Sequence, residues 1–185
     1  MTPKMLRPWK TLSKKTLLDH GRFLKVEEHR VELPDGRVIP DWTWVIIPDA
    51  AIVLARLVNG KFLVFRQMKY AVEGKSLAPV GGMLEPGEEP LTAARRELLE
   101  EMGCEATEWI PLGRYALDPN RGVASMQLYL ALNAVKVTEP IIDDLEDQEL
   151  IMLEYGELER AFAAGEFKVL AWATVVSLAL NRLKE

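Results

Sequence analysis

The order of apolar and polar positions along the chain predicts many short strands and a few helices. Residues 9–47 alternate between apolar and polar side chains, as half-buried strands do, and Pro34-Asp35-Gly36 marks a turn within them. Two apolar runs flank Asn59-Gly60, a dipeptide that favours a two-residue hairpin. The mixture indicates an α+β fold with helices layered around a mixed sheet. Further strands are expected at 109–117, 125–135 and 150–155, and helices at 90–102, 157–164 and 168–183.

Composition and charge narrow the classes of function. The 185 residues are 49% hydrophobic, which is enough for a core, and the formal net charge of −5 argues against binding nucleic acid through a basic face. The longest apolar run, 169–180, is too short to span a bilayer, and the basic N-terminus lacks the apolar segment of a signal peptide. The single cysteine, Cys104, excludes an intrachain disulfide and fits a reducing compartment. We therefore expect a cytoplasmic protein with no nucleic-acid or membrane partner.

One helix concentrates carboxylates on a single face. Pro90 suits its first turn and Gly103 suits its end. Glu97, Glu100 and Glu101 are three or four residues apart, so they share a face on which like charges repel one another. Carboxylate oxygens in this arrangement suit Mg²⁺ or Mn²⁺, and protein-bound magnesium commonly also contacts substrate phosphates. The alternative is an acidic helix face that is only solvated.

The same stretch resembles the Nudix box, G-x5-E-x7-R-E-U-x-E-E-x-G-U, in which U is a bulky apolar residue. Seven matches at Gly, Glu and Arg positions would arise by chance about once in 10⁸ windows, since each type makes up roughly 7% of residues. The resemblance implies the Nudix α/β/α sandwich and hydrolysis of a nucleoside diphosphate linked to another moiety. The matching residues are Gly82, Glu88, Arg96, Glu97, Leu98, Glu100, Glu101, Gly103 and, as a smaller apolar residue, Cys104.

The resemblance also assigns roles to these residues. Glu97, Glu100 and Glu101 match the metal-binding glutamates of the family, and the backbone carbonyl of Gly81 matches a further metal ligand. Glu100 is in addition a catalytic candidate. Residues that orient the glutamates rather than bind the metal are matched by Gly82, Glu88 and Arg96.

Features outside the box resemble the ADP-ribose pyrophosphatase branch, whose members hydrolyse nucleoside diphosphate sugars. Residues 1–47 resemble the N-terminal segment through which those enzymes dimerise, and Pro119 lies where the branch has a marker proline. The expected organisation is therefore an N-terminal strand and hairpin extension at 1–47 and a hydrolase domain at 48–185, assembled as a homodimer. The expected reaction is metal-dependent hydrolysis of a small-molecule sugar nucleotide, with ADP-ribose yielding AMP and ribose 5-phosphate.

The general base is expected outside the box, because the charge of the box glutamates is committed to metal. The acidic segment 143–149 resembles a late loop that carries a catalytic glutamate in the branch. Alignment on the strand that follows places Glu149 nearest to that glutamate, with Glu146 as the second candidate. A loop suits this role, since closure can bring the base in when substrate is bound.

Four positions are expected to contact the substrate. Trp42 matches an adenine-stacking tryptophan, and Trp44 points to the same face of its strand, where packing in the core or at the dimer interface is an equal alternative. Lys69 stands where branch members carry a phosphate-binding arginine, and Arg66 lies three residues earlier. A lysine lacks the two-pronged guanidinium, so GDP-mannose and other sugar nucleotides stay open. Pro119 is the fourth position.

Other functions of the same motif remain alternatives. A house-cleaning hydrolase of nucleoside triphosphates would use the same chemistry without the N-terminal segment, and an mRNA-decapping enzyme is disfavoured by the pI of about 5.3. A sensor that binds sugar nucleotides without hydrolysis is disfavoured because all the box glutamates are present. The remaining histidines and tryptophans are expected on the surface or in packing: His20, His29, Trp9, Trp109 and Trp172.

Overall fold

The computed structural model describes residues 6–141 and 147–184, and two compact units are formed. The first comprises the chain up to Pro48 with Ala116–Ser125, and the second comprises Asp49–Tyr115 and the chain from Met126. The strands are β1 Lys10–Asp19, β2 Lys25–Glu32, β3 Val38–Ile46, β4 Ala50–Leu57, β5 Phe62–Met68, β6 Lys75–Ala78, β7 Val80–Met83, β8 Cys104–Ala116, β9 Ser125–Lys136 and β10 Gln148–Leu153. The helices are α1 Pro90–Met102, α2 Tyr155–Ala163 and α3 Leu170–Arg182.

The first unit contains an antiparallel sheet in the order β1-β2-β3. Its second turn lies at the predicted position, where the Gly36 N–H donates to the Leu33 carbonyl at 2.9 Å and Gly36 adopts a φ of 87°. Strand β1 is an edge strand of this sheet and is exposed at all ten positions. An edge of this length presents unpaired backbone groups and commonly requires cover.

The second unit is built on a seven-stranded mixed sheet. Its main order is β10-β5-β4-β9-β8, with β6 paired to β5 and β7 paired to β4. Strand β4 runs parallel to β9 and antiparallel to β5 and β7. Its first six residues are all buried, and both α1 and α3 contact it. A strand without exposed positions is covered on both faces, which is the layered α+β arrangement expected from the sequence.

Helix α1 has the bounds that the sequence predicts, and its C-terminus is fixed by Gly103. That residue adopts a φ of 65°, its N–H donates to the Leu99 carbonyl at 2.9 Å, and its own carbonyl accepts from Val137 at 2.8 Å. A Cβ at this position would lie 2.1 Å from the Thr138 carbonyl oxygen. Only glycine therefore suits both the left-handed conformation and the close approach.

The structure corrects the sequence analysis in the segment before α1. Gly81 and Gly82 lie in strand β7, which the sequence analysis did not anticipate, and the turn that leads into α1 falls at Pro86-Gly87. Strands β6 and β7 were not expected because each has four residues, too few to show an alternating pattern. No helix in the described part of the chain is long and apolar enough to cross a membrane.

Candidate active site

The site begins with a carboxylate that α1 turns toward the core. Glu97 is 7% exposed and shares the buried side of the helix with Ala93, Ala94 and Leu98. Its carboxylate lies against Gly82 of β7, where an added Cβ would come within 2.1 Å of Glu97 Oε1. The glycine is therefore what allows a carboxylate to enter this layer of the fold.

Arg96 connects the helix to the loop that precedes it. Its Nε and Nη2 atoms donate to the two oxygens of Glu88, each at 3.0 Å, and Nη2 also reaches the Met83 carbonyl at 3.2 Å. Glu88 in turn accepts a hydrogen bond from the Glu85 N–H at 2.9 Å. The hydrogen bonds from Arg96 and from the Glu85 N–H lower the pKa of Glu88. A two-pronged ion pair of this kind fixes both partners in orientation as well as in distance.

The remaining nitrogen of Arg96 binds two glutamates of the helix. Nη1 donates to Glu97 Oε1 at 2.7 Å and to Glu100 Oε2 at 3.1 Å, and Glu101 hydrogen-bonds to the Glu97 carboxyl. Burial raises the pKa of Glu97, Glu100 adds to the rise through charge repulsion, and Arg96 opposes it. The hydrogen bonds from Arg96 therefore only partly offset the cost of burying a negative charge on Glu97.

The donor set fits the chemistry of a divalent cation, although it is not gathered around one. Among residues 6–141 and 147–184, no three His, Cys, Asp or Glu side chains converge closely enough to hold a metal ion. The oxygens offered by Glu97, Glu100 and Glu101 are the hard ligands that magnesium and manganese prefer. The raised pKa of Glu97 also marks a place where additional positive charge would be favourable.

The structure places Glu149 inside strand β10, which corrects the expectation that it lies on a loop. Glu149 stands opposite Arg66 of β5 in the antiparallel ladder, and Arg66 Nη1 donates to its Oε2 at 2.9 Å. Lys69, half-buried, follows directly after β5. The other base candidate, Glu146, lies outside the described residues. Two predicted residues, Arg66 and Glu149, are therefore brought together as an ion pair.

The first unit holds a cavity of about 380 Å³ with aromatic walls. Two predicted substrate contacts, Trp42 and Pro119, both line it, and Trp42 Nε1 donates to the Asn120 carbonyl at 2.7 Å. Trp9 meets the Trp42 ring edge-on, with ring centroids 5.0 Å apart. It was expected only in packing, but it lines the cavity and is 47% exposed. Trp44 and His29 complete the aromatic lining.

Two protein-family models match the chain, and one of them includes helix α1. A model described as the NUDIX domain matches residues 46–173, and one described as the nucleoside diphosphate sugar hydrolase N-terminal domain matches residues 9–45. The chain belongs to the Nudix family. The match covers the Arg96 ion pairs and the carboxylates of α1, and the N-terminal match covers β1, β2 and nearly all of β3.

Relatives of this Nudix protein carry two kinds of name. A methanol dehydrogenase activator from Bacillus methanolicus is 33% identical over 140 residues, which cover 74% of each chain. An ADP-ribose pyrophosphatase from Bacillus subtilis strain 168 is 28% identical over 177 residues, covering 95% of this chain and 94% of the relative. A crystal structure of an ADP compounds hydrolase superposes with a TM-score of 0.79 at 19% identity, covering 98% and 97% of the chains, and shares the fold. The Nudix domain and the pyrophosphatase relative indicate a pyrophosphohydrolase.

Sequence reasoning about this Nudix protein missed one buried polar pair. His29 was expected on the surface or in packing, with no partner assigned; it is 3% exposed and its Nε2 lies 2.8 Å from Oε2 of Glu27, which is 8% exposed. The available signal was the spacing, because residues two apart on a strand share a face. The tryptophans on the neighbouring strand, at two-residue spacing, indicated which face is covered.

We expect Gly82→Ala to reduce kcat on the order of 10²-fold, because the new Cβ would displace the Glu97 carboxylate, and displacements near 1 Å have effects of this size. Steady-state kinetics measure the loss. Gly156→Ala is the matched control, since a Cβ there meets only the flexible end of Arg160, at 3.4 Å, and activity should be unchanged. Unaltered kcat in Gly82→Ala would show that the position of Glu97 is not critical.

Proposed function

We propose that this Nudix protein hydrolyses the pyrophosphate bond of a nucleoside diphosphate sugar, with ADP-ribose giving AMP and ribose 5-phosphate. The observation that carries the proposal is the ordered carboxylate cluster around Arg96, found in a chain whose residues 9–45 match the N-terminal domain of nucleoside diphosphate sugar hydrolases. The relative named ADP-ribose pyrophosphatase, which aligns over nearly the whole chain, supports ADP-ribose as the first substrate.

Within this proposal, the ligands of Mg²⁺, or of Mn²⁺ as a substitute, are Glu97, Glu100, Glu101 and the Gly81 carbonyl. A bound divalent cation supplies positive charge that stabilises the phosphoryl oxygens and lowers the pKa of an attacking water. Arg96 restrains Glu97 and Glu100 in the conformation observed here, and Glu88 holds Arg96 from its other side. The helix therefore enters the reaction with its side chains already ordered, which reduces the entropic cost of assembling the site.

The chain must also accept a proton from the attacking water. As the water oxygen bonds to phosphorus and the bridging P–O bond breaks, the water proton passes to a carboxylate, for which Glu149 is the first candidate and Glu146 the second. Arg66 donates to Glu149 at 2.9 Å, so it holds that carboxylate in a defined orientation on the edge strand. Arg66 and Lys69 supply positive charge toward the substrate diphosphate, and Trp42 stacks on the base.

A panel of substrates tests the proposal. Purified protein with Mg²⁺ is given ADP-ribose, GDP-mannose and nucleoside triphosphates, and the products are separated by ion-exchange chromatography. We expect AMP from ADP-ribose, loss of the activity with EDTA, and recovery with added Mg²⁺. GMP from GDP-mannose alone would move the substrate to another sugar nucleotide, and pyrophosphate from triphosphates alone would identify a house-cleaning enzyme. Binding of ADP-ribose without product would identify a sensor.

A homodimer in the cytoplasm is part of the proposal. The exposed edge strand β1 carries apolar side chains, including Leu12, Leu17 and Leu18, which a second copy would cover. Light scattering should give twice the chain mass of 20.9 kDa at micromolar concentration, and Leu18→Glu should lower that mass while Val58→Glu in the second unit does not. A monomer mass for the wild type would contradict the dimer, as would full activity and solubility after removal of residues 1–45. The single buried cysteine, Cys104, fits the proposed compartment.

A second candidate function is activation of a dehydrogenase. It is favoured by the relative named methanol dehydrogenase activator, which has the higher identity of the two. The discriminating measurement is the rate of a methanol dehydrogenase with and without this protein. Stimulation by the wild type but not by Glu97→Gln would show that activation requires hydrolysis, whereas no stimulation by either would eliminate this candidate.

A further inference from the structure

The polar groups of the aromatic cavity lie on one face of the first sheet. His29 of β2 stands directly opposite Trp42 of β3, and Glu27 stands opposite Trp44. Alternate residues of a strand share a face, so these four side chains form a block in which each polar residue faces a tryptophan. The cavity is lined by both tryptophans and by His29. Thr11 and Asn120 add further polar groups to the wall. Aromatic walls with a few polar groups are suited to a planar heterocycle.

The imidazole of His29 is held in a fixed plane. Its ring stacks on Trp44 with centroids 5.2 Å apart and an interplanar angle of 17°. Gly122, at a φ of 62°, packs against Trp44 so closely that an added Cβ would lie 1.8 Å from the indole ring. The stacking partner of His29 is thus itself confined, and the edge of the imidazole is presented in one orientation.

Glu27 decides which nitrogen of His29 carries the proton. The hydrogen bond with His29 lowers the pKa of Glu27, and Lys25 Nζ, at 3.4 Å, acts in the same direction. An ionised carboxylate only accepts hydrogen bonds, so His29 Nε2, 2.8 Å away, must be the donor. In the neutral imidazole the other nitrogen, Nδ1, then carries a lone pair and is an acceptor.

Nδ1 is the ring nitrogen that the pairing with Glu27 does not use, and His29 lines the cavity. No hydrogen bond from a described residue to Nδ1 is observed. Among the described residues, the one side-chain polar atom that is sealed from solvent without a partner is Tyr155 Oη, so Nδ1 is not sealed in this way. A residue that is only 3% exposed therefore offers one acceptor nitrogen in the wall of an aromatic cavity. A ligand that fills the cavity without a donor at this point would leave Nδ1 buried and unpaired.

We propose that His29 is a specificity-determining residue whose Nδ1 accepts a hydrogen bond from the exocyclic amino group of an aminopurine, and that Glu27 is the positioning residue that fixes the required tautomer. The inference rests on the proposed function and names the nucleobase that its substrate carries. A 6-oxopurine presents an acceptor where adenine presents an amino donor, so its oxygen and Nδ1 repel each other. The site thereby discriminates through a mismatched polar contact rather than through size.

The test removes the amino group and the imidazole separately. Calorimetric titration of the full chain compares AMP with purine riboside 5′-monophosphate, which lacks only the amino group. The wild type should bind AMP on the order of fivefold more tightly, the ratio expected from one hydrogen bond, and in His29→Phe the ratio should fall to about one. His20→Phe, in an exposed turn of the same unit, is the matched control and should keep the wild-type ratio. Equal affinities in the wild type, or a ratio unchanged in His29→Phe, would overturn the inference.

Nitrogen NMR of the imidazoles supplies a readout that packing alone does not move. The chain has two histidines, so His20→Phe assigns both sets of signals. The wild type should show His29 protonated on Nε2, and AMP should shift its Nδ1 resonance and leave His20 unaffected. Glu27→Gln, which retains the shape of the side chain, should yield a mixture of tautomers and a smaller AMP preference. A His29 tautomer unaffected by Glu27→Gln would overturn the positioning role.

Failure of the inference and failure of the proposed function give different results. If the protein releases AMP from ADP-ribose but binds both purine monophosphates equally well, the proposed function stands and the role of His29 is contradicted. A protein that binds AMP through His29 but hydrolyses no sugar nucleotide retains the base site and loses the function.

Discussion

Glu97→Gln is expected to lower kcat on the order of 10²–10³-fold while the melting temperature rises at neutral pH. The loss is expected because the neutral amide is a poorer ligand for the divalent cation that would stabilise the reacting phosphates, and removing one such stabilising interaction has effects of this size. The rise in melting temperature follows from the raised pKa of Glu97, because a raised pKa means that ionisation of this buried carboxyl opposes folding. The neutral amide has the same shape without the charge.

The sign of the pH dependence separates this account from a general loss of structure. A carboxyl whose pKa is higher in the folded than in the unfolded chain binds more protons when folded, so stability falls as pH rises from about 4.5 through the raised pKa. Glu97→Gln should lack that decrease. Calorimetric melting between pH 4 and 8 measures it, and each kcal/mol relieved corresponds to about 2–4 °C in a chain of this size. Glu105→Gln, an exposed carboxylate just after α1, is the control. Full activity in Glu97→Gln would rule out the site.

Glu149→Gln is expected to reduce kcat on the order of 10²–10⁴-fold with little change in KM, which is the range for loss of a general base. Stability should hardly change, because the ion pair with Arg66 is exposed and such pairs contribute about 0–1 kcal/mol. Glu139→Gln removes a comparable exposed carboxylate, paired with Lys136 at 2.8 Å, and should leave kcat intact. Comparing the kinetics and melting temperatures of the two variants separates the loss of a catalytic base from the loss of a negative surface charge.

Glu146, the second candidate for the general base, can be tested in the same way. Glu146→Gln should cost less activity than Glu149→Gln. A larger loss in Glu146→Gln would move the base by three residues and leave the mechanism in place. If neither variant lost even tenfold, the base would have to lie on α1, and the assignment to the ADP-ribose pyrophosphatase branch would lose one of its supports.

Helix α1 could be predicted from sequence because its signals are local. Pro90 and Gly103 mark the two ends through backbone geometry alone, and the observed helix runs between them. The carboxylate spacing is likewise a property of one helix. The fixed positions of the Nudix box then carried the prediction from helix to family, which the domain match confirms.

The features that were missed depend on partners distant in sequence or on weak patterns. Strand β10 begins with Gln148 and Glu149 because an edge strand tolerates exposed polar residues, and the ladder with β5 extends into the acidic segment. His29 and Glu27 lie only two residues apart on β2, but their pairing follows from burial of that face, which the tryptophans of the neighbouring strand β3 share. Strand β7 contains two glycines, which individual strand propensities disfavour, and it forms because β4 offers it a backbone ladder.

The pairing of β7 with β4 has a consequence for how the enzyme loses activity on heating. Gly81 and Gly82 stand opposite Ile52 and Ala51, in the strand whose first six residues are all buried. Amide hydrogens in such a strand exchange with solvent only when the whole cooperative unit opens. The backbone against which Glu97 rests is therefore paired to a strand that should exchange slowly, and we expect thermal inactivation to coincide with global unfolding rather than precede it.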